Sequence, residues 1–340
     1  MFRIGIVVIT HNSAGHISAC LQAVERFRSP HDAVLVIDNA SDDGGTSLDA
    51  MSPPVRVIRN AHNAGFAGAA NQGFEALKDQ VDGILLLNPD VVLTTPLTGL
   101  AIACAREGLA GGRLNDSQGK AQAGFCFRRF PTPLTLFFET MGVNKLWKSN
   151  PVNRRYRCLT VEHGAAQWVD QPAGAMLMVR KDVWLRLNGF DEGFYPVWFE
   201  DVDFCLRAAH AGYGAAYVPD VEGIHEGGHS VLQLSNGNRR RYWYASLMRY
   251  SRKHFGRTGR GLVAGGVAVA AVVRALGMVF RLHEGSLQEA AMNLTIAQTA
   301  LVSPKLGSAG AAADVRSRVL NEGSPSKENT ERTLKRLHAR

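Results

Sequence analysis

The first hundred residues alternate between short apolar runs and longer segments in which apolar residues recur at helical spacing. Four runs rich in β-branched and other apolar residues predict strands at Ile4–Thr10, Ala33–Ile37, Val55–Arg59 and Gly83–Leu87. Between these runs, residues 14–27 and Ala67–Leu77 have the spacing of amphipathic helices. The resulting β-α-β-α-β order predicts an α/β fold with a mostly parallel sheet covered by helices.

Each of the four predicted strands ends in a polar segment. The four segments read ITHN, IDNASDD, RNAHNAGF and LNPD, and all are rich in Asn, Asp or Gly. One such segment alone would be an ordinary turn. In parallel α/β sheets, ligands bind beyond the carboxyl ends of the strands. Four polar strand ends in succession therefore predict a binding site at this edge.

The middle of the chain is organised differently. Residues 111–170 are less regular and rich in aromatic side chains, which predicts an insertion or lid that shapes a pocket. Regular structure then resumes, with a predicted strand at Ala175–Val179 and predicted helices at Asp182–Leu187 and from about Glu200 to Ala211.

These patterns divide the chain into three regions. Residues 1–250 carry the strand and helix patterns of one α/β domain. Residues 251–304 form a predicted basic and apolar helical extension. Residues 305–340 are small, polar and charged, which predicts a mobile tail.

Charge is concentrated in one segment of the chain. The sequence has 38 Lys and Arg against 30 Asp and Glu, a net charge of +8. Eight of the basic residues lie between Arg239 and Arg260, a stretch without Asp or Glu, so the rest of the chain is neutral. This argues for a localised positive patch rather than a nucleic-acid-binding protein, and no nucleic-acid-binding motif accompanies the patch.

An apolar segment, GLVAGGVAVAAVV at residues 261–273, follows the basic patch. Thirteen residues fall short of the roughly 20 that span a bilayer. The combination predicts a helix lying on an anionic membrane surface, with a buried helix or a true span as the alternatives. The five scattered cysteines form no Cys-x-x-Cys pair, which favours a reducing compartment. We therefore expect a cytoplasmic protein, peripheral on the inner face of the cell membrane.

Three carboxylates cluster at the predicted start of one helix, in the stretch FEDVD. Asp203 and Arg207 have the i, i+4 spacing of an ordinary helix ion pair. Asp201 points about 100° away from Glu200 and is free to face a cleft. The aromatic residues just before the helix, Trp198 and Phe199, would form an apolar wall beside it. The alternative is that these acids only complement the helix dipole.

Other polar residues are candidates for ligand binding. Asn88 and Asp90 of LNPD could hold a hard divalent cation whose shell a diphosphate completes, or could form a simple turn. Asp38 and Asn39 could bind a base or ribose, or form an Asx turn. The loop that begins at Asn63 leads into a helix N-terminus, which favours phosphate. The glycine-flanked His225 is either a metal ligand or a structural histidine.

The order of these motifs along the chain forms a family pattern. VVITHNS, VLVIDNASDDG, NAGFAGAANQG, LLLNPDVVL, GAMLMVRKDVWLRLNGFDEGF, FEDVDFCLR and IHEGGHS occur in sequence. Together they resemble glycosyltransferase family 2, and more closely its bacterial rhamnosyltransferase-like branch, over roughly residues 3–250. The resemblance implies a GT-A fold, a Rossmann-like sheet flanked by helices, here with a C-terminal helical extension.

The resemblance also implies a reaction. A family member of this branch would transfer a sugar with inversion, for which the branch suggests L-rhamnose from dTDP-rhamnose. The acceptor would be a saccharide or lipid-linked saccharide in cell-surface polysaccharide synthesis. Asp201, preceded by Glu200, matches the family's catalytic base. Asp90 and His225 would bind Mg²⁺ or Mn²⁺, although Asn88 replaces the first Asp of the usual Asp-x-Asp motif.

The resemblance further assigns a set of residues to the nucleotide-sugar donor. They are Thr10, Asn12, Asp38, Asn39, Asn63, Gly65, Asn71, Asn88, Asp90 and Gly174. Three other readings stay open at this point. The donor could be a UDP-hexose, the chain could be a non-catalytic nucleotide-sugar-binding module, or the basic patch could bind nucleic acid.

Overall fold

A computed structural model describes residues 1–43, 55–227, 235–279, 291, 293–296 and 298. The strands are β1 (Ile4–Thr10), β2 (Ala33–Asp38), β3 (Arg56–Arg59), β4 (Gly83–Leu87), β5 (Val91–Leu93), β6 (Gly108–Asn115), β7 (Phe127–Arg128), β8 (Gln167–Trp168), β9 (Gln171–Pro172), β10 (Met176–Arg180) and β11 (Gly214–His225). The helices are α1 (Ala14–Phe27), α2 (Gly65–Leu77), α3 (Thr98–Glu107), α4 (Pro133–Thr140), α5 (Val143–Leu146), α6 (Pro151–Tyr156), α7 (Lys181–Leu187), α8 (Glu200–His210), α9 (Asn236–His254) and α10 (Arg257–Val279).

Within the described residues, the main sheet has nine strands. Eight follow the order β3-β2-β1-β4-β10-β6-β11-β5, and β8 pairs with β11. The first four strands in this order are parallel, with Thr10 opposite Asp38 and Val8 opposite Leu87. β10 runs antiparallel between β4 and β6, and β11 is parallel to β6. The prediction of a mostly parallel α/β sheet is confirmed, and the polar ends of β1 to β4 meet at one edge.

Helices cover both faces of the sheet because its central strands are apolar on both sides. Along β1, Ile4, Ile6 and Val8 join the core beneath α1 and α3, whereas Val7 and Ile9 join the core beneath α2, α7 and α8. This period-two division follows from the alternation of side chains along a strand. The sheet therefore lies between two apolar layers, and this packing positions the polar ends of its strands.

A third apolar cluster joins the C-terminal helices to the rest of the chain. Its members come from α4, the loop before α8, α8 itself, α9 and α10, and include Leu136, Phe194, Phe199, Tyr250 and Val267. A Cβ added at Gly266 would lie 2.7 Å from Thr140 Oγ1 and 2.8 Å from Phe137 Cδ2, so α10 lies close against α4. The predicted domain boundary at residue 250 falls inside α9, which continues to His254.

The prediction of irregular structure over residues 111–170 is wrong at its start. β6 runs from Gly108 to Asn115 in the interior of the main sheet. The sequence GLAGGRLN lacks the β-branched residues that signal a strand. A Cβ at Gly111 would lie 2.3 Å from Pro172 Cβ, and one at Gly112 would lie 2.3 Å from Met176 Sδ. Glycine is needed at both positions because Pro172 and Met176 pack too closely against β6 to leave room for a side chain.

The apolar segment 261–273 belongs to a helix that is longer than the sequence predicts, and this helix has one buried and one exposed face. It lies within the 23-residue α10. One face is buried at Val263, Val267 and Ala271, and the opposite face exposes a stripe that includes Val273 and Leu276. Among the described residues, Arg257–Leu276 is the one helix long and apolar enough to cross a membrane, with mean hydropathy 1.5, and 44% of that window is buried within the protein. The predicted tail at 305–340 lies outside the described residues.

Candidate active site

A cavity of about 870 Å³ opens at the carboxyl edge of the parallel strands. Eight of the residues predicted from the sequence line it: Asn39, Asn63, Asn88, Asp90, Gly174, Glu200, Asp201 and His225. Thr10, Asn12, Asp38, Gly65 and Asn71 do not line it. The prediction of one site at the ends of the strands therefore corresponds to a single cavity, built from only part of the predicted set.

The start of α8 presents Asp201 to this cavity. Trp198 and Phe199 just before it have positive φ values of 83° and 72°, a left-handed backbone that non-glycine residues rarely adopt. Asp201 Oδ2 accepts a hydrogen bond from Gly174 N at 3.2 Å, and Oδ1 accepts one from Val202 N at 2.8 Å. A Cβ at position 174 would lie 2.8 Å from Asp201 Oδ2, so glycine is required for this contact.

The two adjacent carboxyl groups, Glu200 and Asp201, have different electrostatic surroundings. Burial and the neighbouring charge of Asp201 raise the pKa of Glu200 well above its usual value, and Glu200 Oε2 has no hydrogen-bond partner among the described residues. Burial also raises the pKa of Asp201, but the Val202 N–H, the Arg128 charge and the Gly174 N–H all act to lower it. These surroundings favour the protonated form of Glu200 more strongly than that of Asp201.

Asp203, the third acid of the cluster, faces away from the cavity. Its fully buried carboxylate pairs with Arg207 Nε at 2.8 Å, Lys253 Nζ at 2.8 Å and His254 Nε2 at 2.7 Å. The predicted pair with Arg207 is present, whereas the two partners on α9 were not predicted. Because Lys253 also binds Asp191 at 2.9 Å, part of the basic segment serves to fasten α9 beside α8.

Asn39 holds the loop that precedes α2. Its Oδ1 accepts hydrogen bonds from Ala64 N at 2.9 Å and Asn60 Nδ2 at 3.1 Å. Its Nδ2 donates to Asn63 Oδ1 at 2.9 Å and to Gly65 O at 3.3 Å. These four bonds occupy the amide, so Asn39 shapes the cavity through the loop that it fixes.

Of the other residues predicted to bind the nucleotide-sugar, Asp38, Asn12 and Asn71 are hydrogen-bonded to backbone groups. Asp38 Oδ1 accepts from Ser41 N at 3.1 Å, which is the Asx-turn alternative, and Asn12 Oδ1 accepts from Asp42 N at 2.7 Å. The Thr10 side chain is buried at the end of β1. Asn71 bonds both the N–H and the C=O of Phe190, at 2.9 and 3.0 Å, and thereby joins α2 to the loop before α8.

Gly65 and Asn88 occupy close turns at the strand ends. Gly65 has a positive φ of 74°, and an added Cβ would lie 2.9 Å from Tyr195 Cδ2. The glycine thus lets the start of α2 approach the loop that carries Tyr195 and Pro196. Asn88 N donates to Ala175 O at 3.0 Å, and its carbonyl accepts from Val91 N at 3.1 Å, so its backbone forms a turn after β4.

Asp90 and His225 meet in the same cavity. His225 Nε2 lies 3.7 Å from Asp90 Oδ1, is buried, and has no hydrogen-bond partner among the described residues. Gln122 Nε2 donates to His225 O at 2.7 Å, which turns Gln122 Oε1 toward His225 Nδ1 at 3.0 Å. Because Oε1 can only accept, the proton sits on Nδ1. The Nε2 lone pair is therefore free beside a carboxylate.

These two groups suit a divalent cation. Burial lowers the pKa of His225, so the ring is neutral and able to coordinate. Asp90 Oδ2 accepts from Gly227 N at 3.1 Å, which leaves Oδ1 toward the histidine. No group of three or more His, Cys, Asp or Glu side chains that could hold a metal occurs in the described part of the chain. A cation here would have two protein ligands and take its other ligands from diphosphate oxygens and water.

The middle segment contributes cavity residues that sequence reasoning did not select. They include Gln122, Phe125, Arg128, Glu139, Tyr156 and Arg157. The aromatic composition indicated a pocket-forming insertion, but these residues belong to short elements between β6 and β8 that have no periodic signal. Only the folded chain brings them opposite α8.

The fold and the site define a class of enzyme. At one edge of an α/β sheet, a single cavity is lined by the carboxyl group of Asp201 and by the Asp90–His225 pair. Models described as "Glycosyl transferase family 2" and "Glycosyl transferase family group 2" match residues 5–101 and 150–302, respectively. The chain belongs to glycosyltransferase family 2 and is a glycosyltransferase.

Characterised relatives agree with the rhamnosyltransferase-like branch. The chain is 26% identical over 240 residues to the N-acetylglucosaminyl-diphospho-decaprenol L-rhamnosyltransferase of Mycobacterium tuberculosis, covering 66% of this chain and 76% of that protein. It is 27% identical over 236 residues to the rhamnosyltransferase WbbL of Escherichia coli, covering 66% and 83%. The chain is thus similar in sequence to rhamnosyltransferases over two thirds of its length.

Solved structures show only distant likeness. A crystal structure of GalNAc-T7 with UDP, GalNAc and Mn²⁺ gives a TM-score of 0.47 at 12% identity, covering 66% of this chain and 44% of that one. The structure of S. aureus TarS residues 1–349 gives a TM-score of 0.46 at 12% identity, covering 88% and 90%. At these TM-scores neither likeness supports a conclusion about the site.

Proposed function

We propose that this glycosyltransferase transfers its sugar with inversion, using Asp201 as the general base. The observation that carries the proposal is the placement of Asp201 in the cavity, oriented by Gly174 N–H and Val202 N–H. Glu200 beside it holds the proton that the pair retains. No covalent intermediate is needed, because an acceptor hydroxyl attacks the sugar directly.

The proposed step is a single displacement at the anomeric carbon. The acceptor oxygen forms a bond to that carbon while its proton passes to Asp201. The bond from the carbon to the diphosphate oxygen breaks on the opposite face, and the nucleoside diphosphate leaves with the electron pair. A positioned general base contributes about 10²–10⁴-fold to such a rate. Trp198 and Phe199, which also line the cavity, limit water near the base.

Asp90 and the Nε2 lone pair of His225 would hold Mg²⁺ or Mn²⁺. A cation there would neutralise charge on the leaving diphosphate. The protein's own contribution is orientation, since Gln122 fixes the histidine tautomer and Gly227 N–H fixes one carboxylate oxygen of Asp90. Asn63 and Asn88 line the same cavity, and we propose that they contact the donor there.

The proposed donor is dTDP-L-rhamnose and the proposed acceptor is a saccharide or lipid-linked saccharide of cell-surface polysaccharide. The names of the similar proteins from M. tuberculosis and E. coli, both rhamnosyltransferases, support L-rhamnose as the sugar. The former also names a diphospho-decaprenol acceptor. A UDP-hexose donor is the alternative that a donor screen separates.

The proposed location is the cytoplasmic face of a membrane, with α10 in contact with anionic lipid. Val269, Val273 and Leu276 of α10 are at least half exposed and lie on one side of the helix. The segment from Arg239 to Val279 contains no Asp or Glu. Apolar surface beside a cationic segment is the combination that binds anionic bilayers.

The test is a donor screen with product analysis. Purified protein is incubated with dTDP-rhamnose, UDP-glucose, UDP-galactose and GDP-mannose, with a lipid-linked acceptor and Mg²⁺ or Mn²⁺. We expect transfer from dTDP-rhamnose with inverted anomeric configuration. Retained configuration would contradict the single displacement, and transfer from a UDP-sugar alone would contradict the donor assignment.

The base assignment is tested by Asp201→Asn. We expect turnover to fall about 10²–10⁴-fold, with the Kd for the nucleoside diphosphate nearly unchanged, because the carboxylate acts on the acceptor hydroxyl. Asp79→Asn, a change at an exposed aspartate outside the cavity, is the matched control and should keep full activity. Full turnover by the Asp201 variant would remove Asp201 from the mechanism.

A further inference from the structure

Arg128 is a cavity-lining arginine without a carboxylate partner among the described residues. Its side chain contacts two aromatic rings, since its guanidinium lies 5.5 Å from the ring centre of Phe125 and 5.9 Å from that of Tyr156. Its Nε donates to Gly124 O at 2.7 Å. The two Nη groups make no hydrogen bond within the described part of the chain. The arginine is therefore positioned but keeps its strongest donors available.

The other arginine in the cavity is neutralised. Arg157 Nη2 lies 3.1 Å from Glu139 Oε1, and both residues line the cavity. The cavity also contains Asp90 and Asp201, so its charge is unfavourable to an anionic substrate. A substrate that carries phosphate would need a compensating positive charge, and Arg128 is a lining group that can supply one.

Arg128 also lies on the base side of the cavity. β7, which ends at Arg128, pairs with β9, where Arg128 is opposite Gln171. The chain continues from β9 to Gly174, whose N–H binds Asp201. The charge of Arg128 is felt by Asp201, although the two side chains form no salt bridge. A ligand on Arg128 would therefore lie near the acceptor hydroxyl that Asp201 deprotonates.

We propose that Arg128 binds a phosphate group of a substrate through its free guanidinium donors. This inference rests on the proposed function and extends it to a phosphate-recognition residue supplied by the middle segment. Arginine suits the task because its planar fork bonds two phosphate oxygens at once, which lysine cannot reproduce. The phosphate belongs to a phosphate-linked acceptor or to the donor diphosphate. The position beside Asp201 favours the acceptor.

The test compares matched substrates and variants. Arg128→Gln, Arg128→Lys and the control Arg129→Gln are assayed with decyl N-acetylglucosaminyl diphosphate and with decyl N-acetylglucosaminide, which lacks phosphate. Binding of dTDP is measured separately by calorimetry. Arg129 is the next residue in the chain but does not line the cavity. The thermal unfolding of each variant is compared with that of the wild type.

We expect Arg128→Gln to raise the KM for the diphosphate acceptor about 10- to 100-fold, the loss typical of a charged hydrogen bond. The KM for the neutral acceptor and the Kd for dTDP should change less than about threefold, Arg128→Lys should recover only part of the loss, and Arg129→Gln should resemble wild type. A weaker Kd for dTDP instead would support phosphate binding with the donor as its source.

Two results would overturn the proposal. One is an equal loss of kcat with both acceptors together with a displaced acid limb of the pH profile, which would mean that Arg128 acts only on Asp201. The other is unchanged KM and Kd in both folded variants. If the wild type transfers no sugar, the proposed function fails, but the calorimetric binding of dTDP and of the diphosphate acceptor still tests Arg128 separately.

Discussion

The adjacent carboxyl groups of Glu200 and Asp201 at the start of α8 differ in their hydrogen bonding. Glu200 is buried without a hydrogen-bond partner for Oε2 among the described residues, whereas Asp201 receives two backbone N–H donors. Asp203, two residues further on, is surrounded by cations. Three acids within four positions thus have three environments, and the proposed base, Asp201, is the one that receives backbone donors inside the cavity. The difference comes from the direction in which each side chain leaves the helix.

Glu200 should make the folded protein less stable as pH rises. Its folded-state pKa is raised above its unfolded value of about 4.3, so the folded state binds the extra proton between the two values and loses stability there. Glu200→Gln removes this titration. We therefore expect the Tm of the variant minus that of the wild type to increase between pH 4 and pH 8. The increase should be about 2–4 °C for each kcal/mol by which the free energy of unfolding of the variant rises relative to the wild type.

Scanning calorimetry across this pH range checks the sign. Glu162→Gln, at an exposed glutamate, should follow the wild-type curve throughout. A Tm difference that is constant with pH would show that Glu200 titrates alike in the folded and unfolded chain.

Individual elements differ in how far the sequence predicts them. β1 and α1 are predicted with their observed bounds, because buried β-branched runs and amphipathic spacing are strong local signals. β6 is missed because its glycines are required by close contacts with Pro172 and Met176, which are distant in sequence. Asn71 lies in a segment whose composition resembles that of a phosphate-binding loop, yet its side chain binds the backbone of Phe190, 119 residues away. Local patterns locate the site's edge, and long-range contacts decide which side chains enter it.

The attachment of α9 to α8 depends on Asp203. Replacing it by Asn leaves Arg207, Lys253 and His254 without their shared carboxylate, and breaking a buried ion pair from one side costs about 3–5 kcal/mol. The pKa of Asp203 is lowered, by bonds from His254 and the charges of Arg207 and Lys253, against the opposing effect of burial. Its contribution is therefore present above the unfolded pKa, near 3.9, and is lost as pH falls through the lower folded pKa.

Urea unfolding at pH 7 should show Asp203→Asn destabilised by about 3–5 kcal/mol, and the difference from wild type should shrink in acid below about pH 4. Asp79→Asn again serves as the control at an exposed position. Equal stability of the Asp203 variant and the wild type at pH 7 would mean that the cations on α9 find other partners.

At the scale of the whole molecule, the net charge of +8 comes from the basic segment between Arg239 and Arg260, whose side chains fall into two groups. Arg249 and Lys253 form ion pairs with Asp191, so they are part of the fold. Arg241 and Arg257 are exposed and have no carboxylate partner in the described ranges. The second group remains available to an anionic surface, whereas Tyr242 and Trp243 of the same segment line the cavity.

The exposed stripe of α10 should carry membrane binding. Val273 and Leu276 are 62% and 55% exposed, and inserting an apolar side chain of this size is worth about 1.5–3 kcal/mol. Val273→Glu with Leu276→Glu should therefore reduce binding to vesicles of 30% phosphatidylserine by about tenfold or more. Ile102→Glu, at a 64% exposed position on α3, is the matched control and should bind like wild type.

Flotation at low and high salt separates the ways in which α10 could meet lipid. Surface binding through cations and the apolar stripe predicts flotation that is lost with phosphatidylcholine vesicles and weakened by salt, because exposed charges are screened. Protein that resists carbonate extraction would indicate a spanning helix, which the length of Arg257–Leu276 permits. Wild-type protein that stays at the bottom of the gradient under all conditions would contradict the membrane proposal, and the stripe would then belong to a protein interface.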